Sequence, residues 1–217
     1  MIQEFYRIYK SELRGLIEGN QRKSFITFNE GNYQDESREP IGILSQFTEH
    51  YLSGNRQLEL TQHSDSFILI PIEGELQVSS NGSSRNIAPQ EIFTLSSEGV
   101  IRVGNFSPSE ISRFYGIHLD IPNSEQLVHS FDFSFRNELI TLVESAEISL
   151  KMGVFDGRKE SKLILPANVQ GFVSVIHGAF EVQNRLLETN DCLFMRNNQV
   201  IEFESLSENA IILIFSF

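Results

Sequence analysis

The carboxy-terminal half of the chain repeats its middle, and this repeat limits the possible folds more than any other feature. The segment FILIPIEGELQV, which begins at Phe67, corresponds to FVSVIHGAFEVQ, which begins at Phe172. Each contains a β-rich run, a turn glycine (Gly74 or Gly178) and a second β-rich run, which is the pattern of a β-hairpin. The segments IAPQEIFTL and LETNDCLFM follow, and each places an acidic residue before an apolar strand.

Two further pairs of segments match in the same order. GVIRVGNF corresponds to QVIEFESL, and RFYGIHLDIP corresponds to NAIILIFSF. Short strands that repeat with turn signals roughly every 8–12 residues predict an all-β fold of two tandem antiparallel barrels or sandwiches. A chain of 217 residues is long enough for two such units.

The segment Pro122–Ser134 is rich in turn formers and separates the two copies. We therefore predict a first barrel with an amino-terminal extension over residues 1–122, a connection over residues 123–136, and a second barrel over residues 137–217. NELITLVES and ISLKMGVFDG would open the second barrel, and AIILIFSF would be buried within it. We expect little helix, and the best helical candidate is IQEFYRIYKSELRGLI near the amino terminus.

The charge balance bears on the class of partner. The chain has 17 Lys and Arg against 29 Asp and Glu, a net charge of −12, which disfavours nucleic-acid binding through phosphate neutralisation. The segment MIQEFYRIYKSELRG mixes charged and apolar residues, so we predict neither a secretory signal nor a membrane span there. A single cysteine, Cys192, excludes an internal disulfide and suits a reducing compartment, so we predict a cytoplasmic protein. Cys192 is interpreted as a buried strand residue.

The order of these segments resembles the cupin superfamily of double-stranded β-helix barrels, and the details resemble the pirin-like bicupins of the short bacterial YhaK type. The stretch SFITFNEGNY, from Ser24, is similar to the family's S-x-H-T-F-S-F-x-x-Y, with Ile26 in place of the histidine. The stretch IRVGNFSPSE, from Ile101, is similar to the family's I-R-H-S-E-Y-N-P. The resemblance extends over roughly residues 13–217.

The resemblance implies a metal site that this chain does not preserve. Active members bind iron or a similar metal in the first barrel through an H-x-H pair, a third histidine and a glutamate, a set that suits a redox-active ion. The matching positions here are Leu60, Gln62, Val103 and Asn105, and these four offer no good ligand set. Strand alternation predicts that all four side chains point into the first barrel. We therefore expect a retained barrel, a lost metal site and no cofactor.

Other polar residues are candidates for a pocket. Gln62, Asn105 and Arg102 offer amide and guanidinium donors for an anionic or carbonyl-bearing ligand. His118 lies in a strand of the first barrel, and the sequence leaves open which face it occupies. The remaining histidines are interpreted as structural or surface residues: His63 in a polar turn, His177 at a hairpin tip, and His50 and His129 in loop-like sequence.

These observations favour a non-catalytic bicupin that binds a small ligand or acts as a regulatory or interaction module. The alternative is a metal-dependent quercetin 2,3-dioxygenase-like oxygenase with unrecognised ligands, and a third hypothesis is a purely structural protein partner. The expected partners are a small molecule or another protein, without nucleic acid or membrane, and the expected state is a monomer or homodimer.

Overall fold

A computed structural model describes residues 3–19, 22–62, 65–96, 99–121 and 127–217. In this part of the chain the strands are, in order, β1 (Phe5–Tyr9), β2 (Gly15–Gly19), β3 (Arg22–Ile26), β4 (Leu44–Leu52), β5 (Arg56–Gln62), β6 (Ser66–Glu73), β7 (Leu76–Ser80), β8 (Ser83–Ile87), β9 (Glu91–Leu95), β10 (Gly99–Asn105), β11 (Ser112–Leu119), β12 (Leu127–Ser130), β13 (Ile140–Glu144), β14 (Ser149–Phe155), β15 (Glu160–Ile164), β16 (Gly171–His177), β17 (Ala179–Val182), β18 (Arg185–Glu188), β19 (Cys192–Arg196), β20 (Val200–Ser205) and β21 (Ala210–Ser216). Two short 3-10 turns, Ser11–Leu13 and Glu36–Arg38, are the helical elements described. No helix in these described ranges is long and apolar enough to cross a membrane.

The chain divides into two compact units. One unit spans Arg14–Phe131, and the other combines the residues up to Leu13 with Asp132–Phe217. The first unit contains a seven-stranded sheet in the order β12-β9-β6-β11-β4-β3-β2 and a four-stranded sheet in the order β5-β10-β7-β8. The second unit contains a six-stranded sheet in the order β1-β19-β16-β21-β14-β13 and a four-stranded sheet in the order β15-β20-β17-β18. All pairings between these strands are antiparallel.

The predicted internal repeat is confirmed strand by strand. The order β9-β6-β11-β4 in the first unit recurs as β19-β16-β21-β14 in the second, and β5-β10-β7-β8 recurs as β15-β20-β17-β18. Gly74 and Gly178 both adopt a positive φ, 75° and 82°, at the turns between the matched hairpin strands. A Cβ atom at Gly178 would lie 2.3 Å from Ser207 Oγ, so the tight turn also needs the missing side chain. The all-β prediction of two antiparallel barrels is therefore confirmed.

The first strand belongs to the second unit, which differs from the predicted division of the chain. β1 pairs along its whole length with β19, from Phe5 opposite Arg196 to Tyr9 opposite Cys192. It occupies the position beside β19 that β12 occupies beside β9 in the first unit. β12, at Leu127–Ser130, is itself a strand of the first unit and lies within residues 123–136, which were predicted as a connection. The amino-terminal helix prediction is wrong, because β1, a 3-10 turn and β2 replace it.

Asp191 fixes the amino-terminal segment to the second unit. Its fully buried carboxylate accepts hydrogen bonds from the backbone N–H groups of Ser11, at 2.8 Å, and Glu188, at 3.1 Å, and pairs with the Lys10 ammonium. The matched residue of the first unit, Glu91, accepts a hydrogen bond from the N–H of Ala88 at 2.7 Å. Both acidic residues therefore stabilise the same turn, and Asp191 additionally anchors the chain that follows β1.

The interiors of the two units differ. In the second unit Phe155, Phe180 and Phe203 pack edge to face, with ring centroids 5.2–6.1 Å apart, in the middle of a continuous apolar core. The strand β21 contributes buried residues to this core, as predicted for AIILIFSF. In the first unit the apolar core includes residues from both sheets, among them Phe67, Phe93 and Phe114. This core leaves space for polar side chains at one end of the barrel.

A buried ion cluster lies in the first unit around Glu49 on β4. Its carboxylate accepts hydrogen bonds from Arg14 Nη1 at 2.9 Å and Arg113 Nε at 2.6 Å, and only 1% of the residue is exposed. The hydroxyl of Tyr51 donates to the same carboxylate at 3.1 Å. The Tyr115 hydroxyl also donates to it, at 3.5 Å. Because each buried charge needs a partner, two cations and two hydroxyls satisfy Glu49.

Candidate functional site

A cavity of about 270 Å³ opens in the first barrel between its two sheets. The large sheet contributes a mainly polar wall from β3, β4 and β11. The small sheet contributes β5, where Leu58 and Leu60 form an apolar wall and Glu59 and Thr61 also line the cavity. The lining residues are Ile17, Arg22, Ser24, Glu30, Gly31, Gln46, His50, Leu58, Glu59, Leu60, Thr61 and His118.

His50 is deeply enclosed in the polar wall, with 4% of its surface exposed, as is Ser24 beside it. Its Nδ1 lies 2.8 Å from the Ser24 hydroxyl on the neighbouring strand β3. The imidazole stacks on Phe114 with ring centroids 4.9 Å apart. The ring also lies over Gly116, where an added Cβ would come within 3.2 Å of His50 Nε2. A glycine in β11 therefore makes the space that the histidine ring occupies.

Burial, together with the smaller effects of the nearby His118 and Arg22, lowers the pKa of His50 to about 3. The imidazole is consequently neutral near pH 7. A neutral ring that receives a hydrogen bond on Nδ1 carries its proton on Nε2, and one that donates from Nδ1 presents Nε2 as an acceptor. His50 is therefore a hydrogen-bonding group of the cavity and does not add a positive charge.

The low pKa predicts a specific acid sensitivity. Between pH 6.5, the ordinary histidine pKa, and pH 3, the unfolded chain binds a proton at His50 that the folded chain does not, so stability falls as the pH falls. From pH 7.5 to pH 5.0, the wild type should lose about 2 kcal/mol more free energy of unfolding than the His50→Phe variant. Urea unfolding at the two pH values measures this difference. The variant of the exposed histidine, His177→Gln, should follow the wild type, and equal losses in the wild type and His50→Phe would refute the assignment.

Three other polar residues complete the polar wall. His118 on β11 is buried, and its ring meets that of Phe67 edge to face, with ring centroids 4.9 Å apart. The sequence did not decide which face of the strand His118 occupies, and the structure places it on the interior face. Glu30 accepts a hydrogen bond from Thr48 Oγ1 at 2.8 Å. Burial raises the pKa of the Glu30 carboxyl, while the Thr48 hydrogen bond and Arg22 oppose that rise. Gln46, on the same strand as His50, faces the cavity beside them.

The apolar wall lies where the family resemblance implied metal ligands. Leu58 and Leu60 on β5 line the cavity, and they pair with Val103 and Ile101 on β10. Leu58, Val103 and Ile101 are buried in the barrel core, and Leu60 packs against it. Leu60 and Val103 therefore face the interior, as alternation indicated. Gln62 ends β5 opposite Gly99, and its side chain lies outside the described part of the structure.

Asn105 is buried at the end of β10 but serves the backbone. Its Nδ2 donates to the carbonyl oxygens of Leu52 at 2.9 Å and Glu110 at 2.8 Å, and its Oδ1 accepts from the N–H of Ser107 at 3.0 Å. The side chain therefore holds the turn after β10 and is not among the cavity-lining residues. The prediction that Asn105 offers donors to a ligand is wrong for this reason.

The prediction that Arg102 lines the pocket is also wrong. Its side chain is 57% exposed and pairs with Glu59 at 2.7 Å on the outward face of the small sheet. Residue 102 alternates with the inward residues 101 and 103, so strand geometry directs it to solvent.

The histidine assignments from sequence are partly wrong. His50 and His129 lie in strands β4 and β12 and not in loops. His177 is exposed at the end of β16 next to Gly178, as predicted, and His63 lies outside the described residues. Cys192 is buried in β19, with Sγ 3.5 Å from Ser174 Oγ, as expected for a strand residue. The stretch QFTEHYL gave no alternation signal because both faces of β4 are largely buried.

A larger groove of about 480 Å³ lies on the outer face of the four-stranded sheet of the second unit. Its side chains are mainly solvent-facing, and it is lined by Glu160, Ser161, Lys162, Glu181, Gln183, Asn184, Glu202, Phe203 and Glu204. An exposed acidic strip is a common surface feature, and the groove brings together no enclosed polar groups. We therefore place the candidate site in the smaller cavity of the first barrel.

In the described residues, the side chains of that cavity are not arranged as a cluster of metal ligands. A divalent ion needs three or four ligands placed together. Across the ranges that the structure describes, no group of three or more His, Cys, Asp or Glu side chains is arranged to hold an ion. His50 and His118 lie on the large sheet, whereas the inward positions of β5 and β10 carry aliphatic side chains.

Comparisons with known proteins show which families and folds this chain resembles. Residues 140–216 match the model of the quercetinase C-terminal cupin domain. A comparison with curated protein sequences gives no match.

Solved structures with similar folds include YhhW from Escherichia coli, with 18% identity and a TM-score of 0.84 over 98% of this chain and 97% of that one. A second structure of YhhW, described as a bacterial pirin, is a complex with nickel(II). YhaK from Escherichia coli has 19% identity and a TM-score of 0.71 over 89% and 92% of the two chains. Quercetin 2,3-dioxygenase from Acinetobacter baumannii has 13% identity and a TM-score of 0.72 over 97% and 85%. The chain thus shares its two-barrel fold with these solved structures, and residues 140–216 of its second barrel match the quercetinase C-terminal cupin domain.

Proposed function

We propose that this bicupin binds a small molecule in the first barrel without a metal, as a binding or regulatory module and not as an oxygenase. The observation that carries the proposal is the composition of the cavity walls. The positions that the family uses for metal ligands fall on strands whose inward side chains are aliphatic, Leu58 and Leu60 on β5 among them. Most polar groups of the cavity, among them Ser24, His50 and His118, lie on the opposite sheet.

The two cavity histidines do not replace the lost ligand set. His50 Nδ1 is engaged by the Ser24 hydroxyl, and the carboxylate of Glu30 on the polar wall accepts a hydrogen bond from Thr48. Two imidazoles without a third correctly placed ligand hold an ion weakly against water. The arrangement does suit an organic ligand, because it combines hydrogen-bonding groups with an apolar surface inside one concave site.

The alternative function is a metal-dependent oxygenase of the quercetin 2,3-dioxygenase kind. The favouring observations are the fold shared with that enzyme of Acinetobacter baumannii and the nickel(II) complex of YhhW. Such a reaction needs a metal to polarise the substrate and a base to accept the hydroxyl proton. The cavity volume counts against this alternative. At about 270 Å³ it is below the range of about 300–1,000 Å³ typical of pockets that enclose drug-sized ligands, so it suits a ligand smaller than quercetin.

Metal titration tests the proposal directly. Calorimetry with Ni²⁺, Fe²⁺, Cu²⁺ and Zn²⁺ added to chelator-treated protein should show no stoichiometric site in the first barrel. An oxygen electrode with quercetin and each metal should show no metal-dependent consumption above the rate without protein. Escherichia coli YhhW, whose nickel(II) complex is known, is the positive control for metal loading. One equivalent of tightly bound metal, or metal-dependent oxygen uptake, would replace the proposal by the alternative.

The chemistry of the chain also bears on its cellular compartment, its partners and its oligomeric state. We expect the protein to act in the cytoplasm, since its single cysteine is buried and unpaired by a disulfide. The net charge of −12 disfavours nucleic acid as a partner. We expect a monomer or homodimer.

A further inference from the structure

We propose that the ligand of the first-barrel cavity is a small organic monocarboxylate, bound by Arg22 and His50 through its carboxylate and by Leu58 and Leu60 through its apolar body. This inference rests on the proposed metal-free binding function and names the ligand class for the same site. Three features of the cavity lead to it: one cation without an ionic partner, one buried neutral donor, and one aliphatic wall.

Arg22 is the cation that the cavity offers. It lies on β3, two residues before Ser24 and on the same strand face, and its side chain is half-buried at the cavity. In the described part of the chain its guanidinium has no ion pair within 4.0 Å, whereas Arg14 and Arg113 are both bound to Glu49. A planar guanidinium binds a carboxylate through two parallel hydrogen bonds, which makes it a selective partner for this group.

The carboxylates around the cavity are already engaged by other residues. Glu30 accepts the hydroxyl of Thr48 at 2.8 Å, and Glu59 pairs with Arg102 at 2.7 Å. Arg22 is near enough to lower the pKa of Glu30 without forming an ion pair with it. A carboxylate brought by a ligand would therefore supply the contact that the protein itself does not make.

His50 provides the second polar contact. The Ser24 hydroxyl occupies Nδ1 at 2.8 Å, and Nε2 has no hydrogen-bond partner in the ranges that the structure describes. When Ser24 donates to Nδ1, the Nε2–H group is a donor fixed in direction by the stacking on Phe114. Because His50 is neutral, it adds a hydrogen bond without adding charge, and Arg22 supplies the permanent positive charge that pairs with a ligand carboxylate.

Leu58 and Leu60 supply the apolar contact opposite these donors, and Ile17 borders the same space. Leu58 is 3% exposed, so its side chain is already part of the barrel core and forms a firm wall. A volume of about 270 Å³ restricts the ligand to a small body attached to its carboxylate.

Two matched pairs of probes test the ligand class. Benzoate and 4-methylpentanoate should bind saturably to the full chain, as followed by ¹⁵N-edited NMR and calorimetry, whereas benzamide and 4-methylpentanamide should bind about tenfold more weakly or not measurably. The amides keep the size and apolar body but lack the charge that strengthens hydrogen bonds to a guanidinium. Benzoate should also shift the imidazole nitrogen signals of His50.

Variants assign the contact to Arg22. Arg22→Gln should weaken benzoate binding about tenfold or more, and Arg22→Lys should weaken it less, because charge remains but the two-pronged geometry is lost. The control is Lys23→Gln, which removes the same charge from the next residue of β3, where the exposed side chain pairs with Glu18 at 2.8 Å. This control should bind benzoate like the wild type. Thermal melts of all three variants verify that each is folded.

The outcomes separate this inference from the proposed function. Equal binding of acids and amides, equal losses in Arg22→Gln and Lys23→Gln, or no saturable binding of either acid would overturn the carboxylate assignment while leaving metal-free binding of another ligand class intact. A stoichiometric metal in the calorimetric titration would instead overturn the proposed function. Acid-selective binding that depends on Arg22 in metal-free protein supports both.

Discussion

The Glu49→Ala variant should lose about 3–5 kcal/mol of unfolding free energy, the expected result of removing one partner from a buried ion cluster. Arg14 and Arg113 both bind this carboxylate, at 2.9 and 2.6 Å, and both side chains are less than one-tenth exposed. Without Glu49, two guanidinium groups would remain in a poorly solvated environment. Urea unfolding at pH 7 measures the loss, which is a large fraction of the roughly 5–15 kcal/mol that stabilises an ordinary domain.

The matched control is Glu59→Ala, which removes another glutamate that pairs with an arginine on a strand of the same unit. The Glu59–Arg102 pair is short, at 2.7 Å, but both side chains are more than half exposed. Exposed ion pairs contribute about 0–1 kcal/mol, so the control should remain close to the wild type. Comparable losses of unfolding free energy in the two variants would show that burial does not increase the contribution of the Glu49 cluster to stability.

The second large effect is expected at Asn105. Asn105→Asp should lose about 3 kcal/mol or more, because the aspartate cannot donate to the carbonyl oxygens of Leu52 and Glu110 and places a negative charge against them. The same reasoning makes glutamate unfavourable here, so a metal site cannot be rebuilt at this position without loss of stability. Denaturant unfolding quantifies the effect.

Asn86→Asp is the control for this substitution. Asn86 lies on β8, where its side chain is exposed and accepts a hydrogen bond from Gln77 at 3.3 Å. The same chemical change at this surface position should alter the unfolding free energy by no more than about 0.5 kcal/mol. An Asn105→Asp variant as stable as Asn86→Asp would mean that the three backbone hydrogen bonds of Asn105 contribute little.

The sequence predicted the repeated strands well because the signals for them are local. Hairpin glycines such as Gly74 and Gly178, apolar runs and acidic turn residues each act within a few residues of one another. Alternation also predicted the inward faces of Leu60 and Val103. The strand β1 escaped prediction because its partner β19 lies more than 180 positions away, from Tyr9 to Cys192, and its sequence has no strong strand period.

The candidate site was harder to predict than the fold. The family comparison directed attention to positions on β5 and β10, whereas most polar groups of the cavity, including both of its histidines, lie on β3, β4 and β11. His50 could have been found from the pairing of β4 with β3, since Ser24 lies directly opposite it. Asn105 was misread because its role depends on carbonyl groups of residues 52 and 110, which only the folded chain brings together.

The pairing of β1 with β19 has a consequence for the order in which the chain matures on the ribosome. The first unit, Arg14–Phe131, has all its strands once residue 131 has emerged. β1 is synthesised before any of them, yet its partner strand follows more than 180 residues later, which is roughly 10–40 s at common rates of synthesis. During that interval the Phe5–Tyr9 segment has no β19 edge to join, and the second unit closes only when nearly the whole chain is available. Closing a loop of this length carries an entropic cost, so the pairing of β1 with β19 is expected among the last steps of folding.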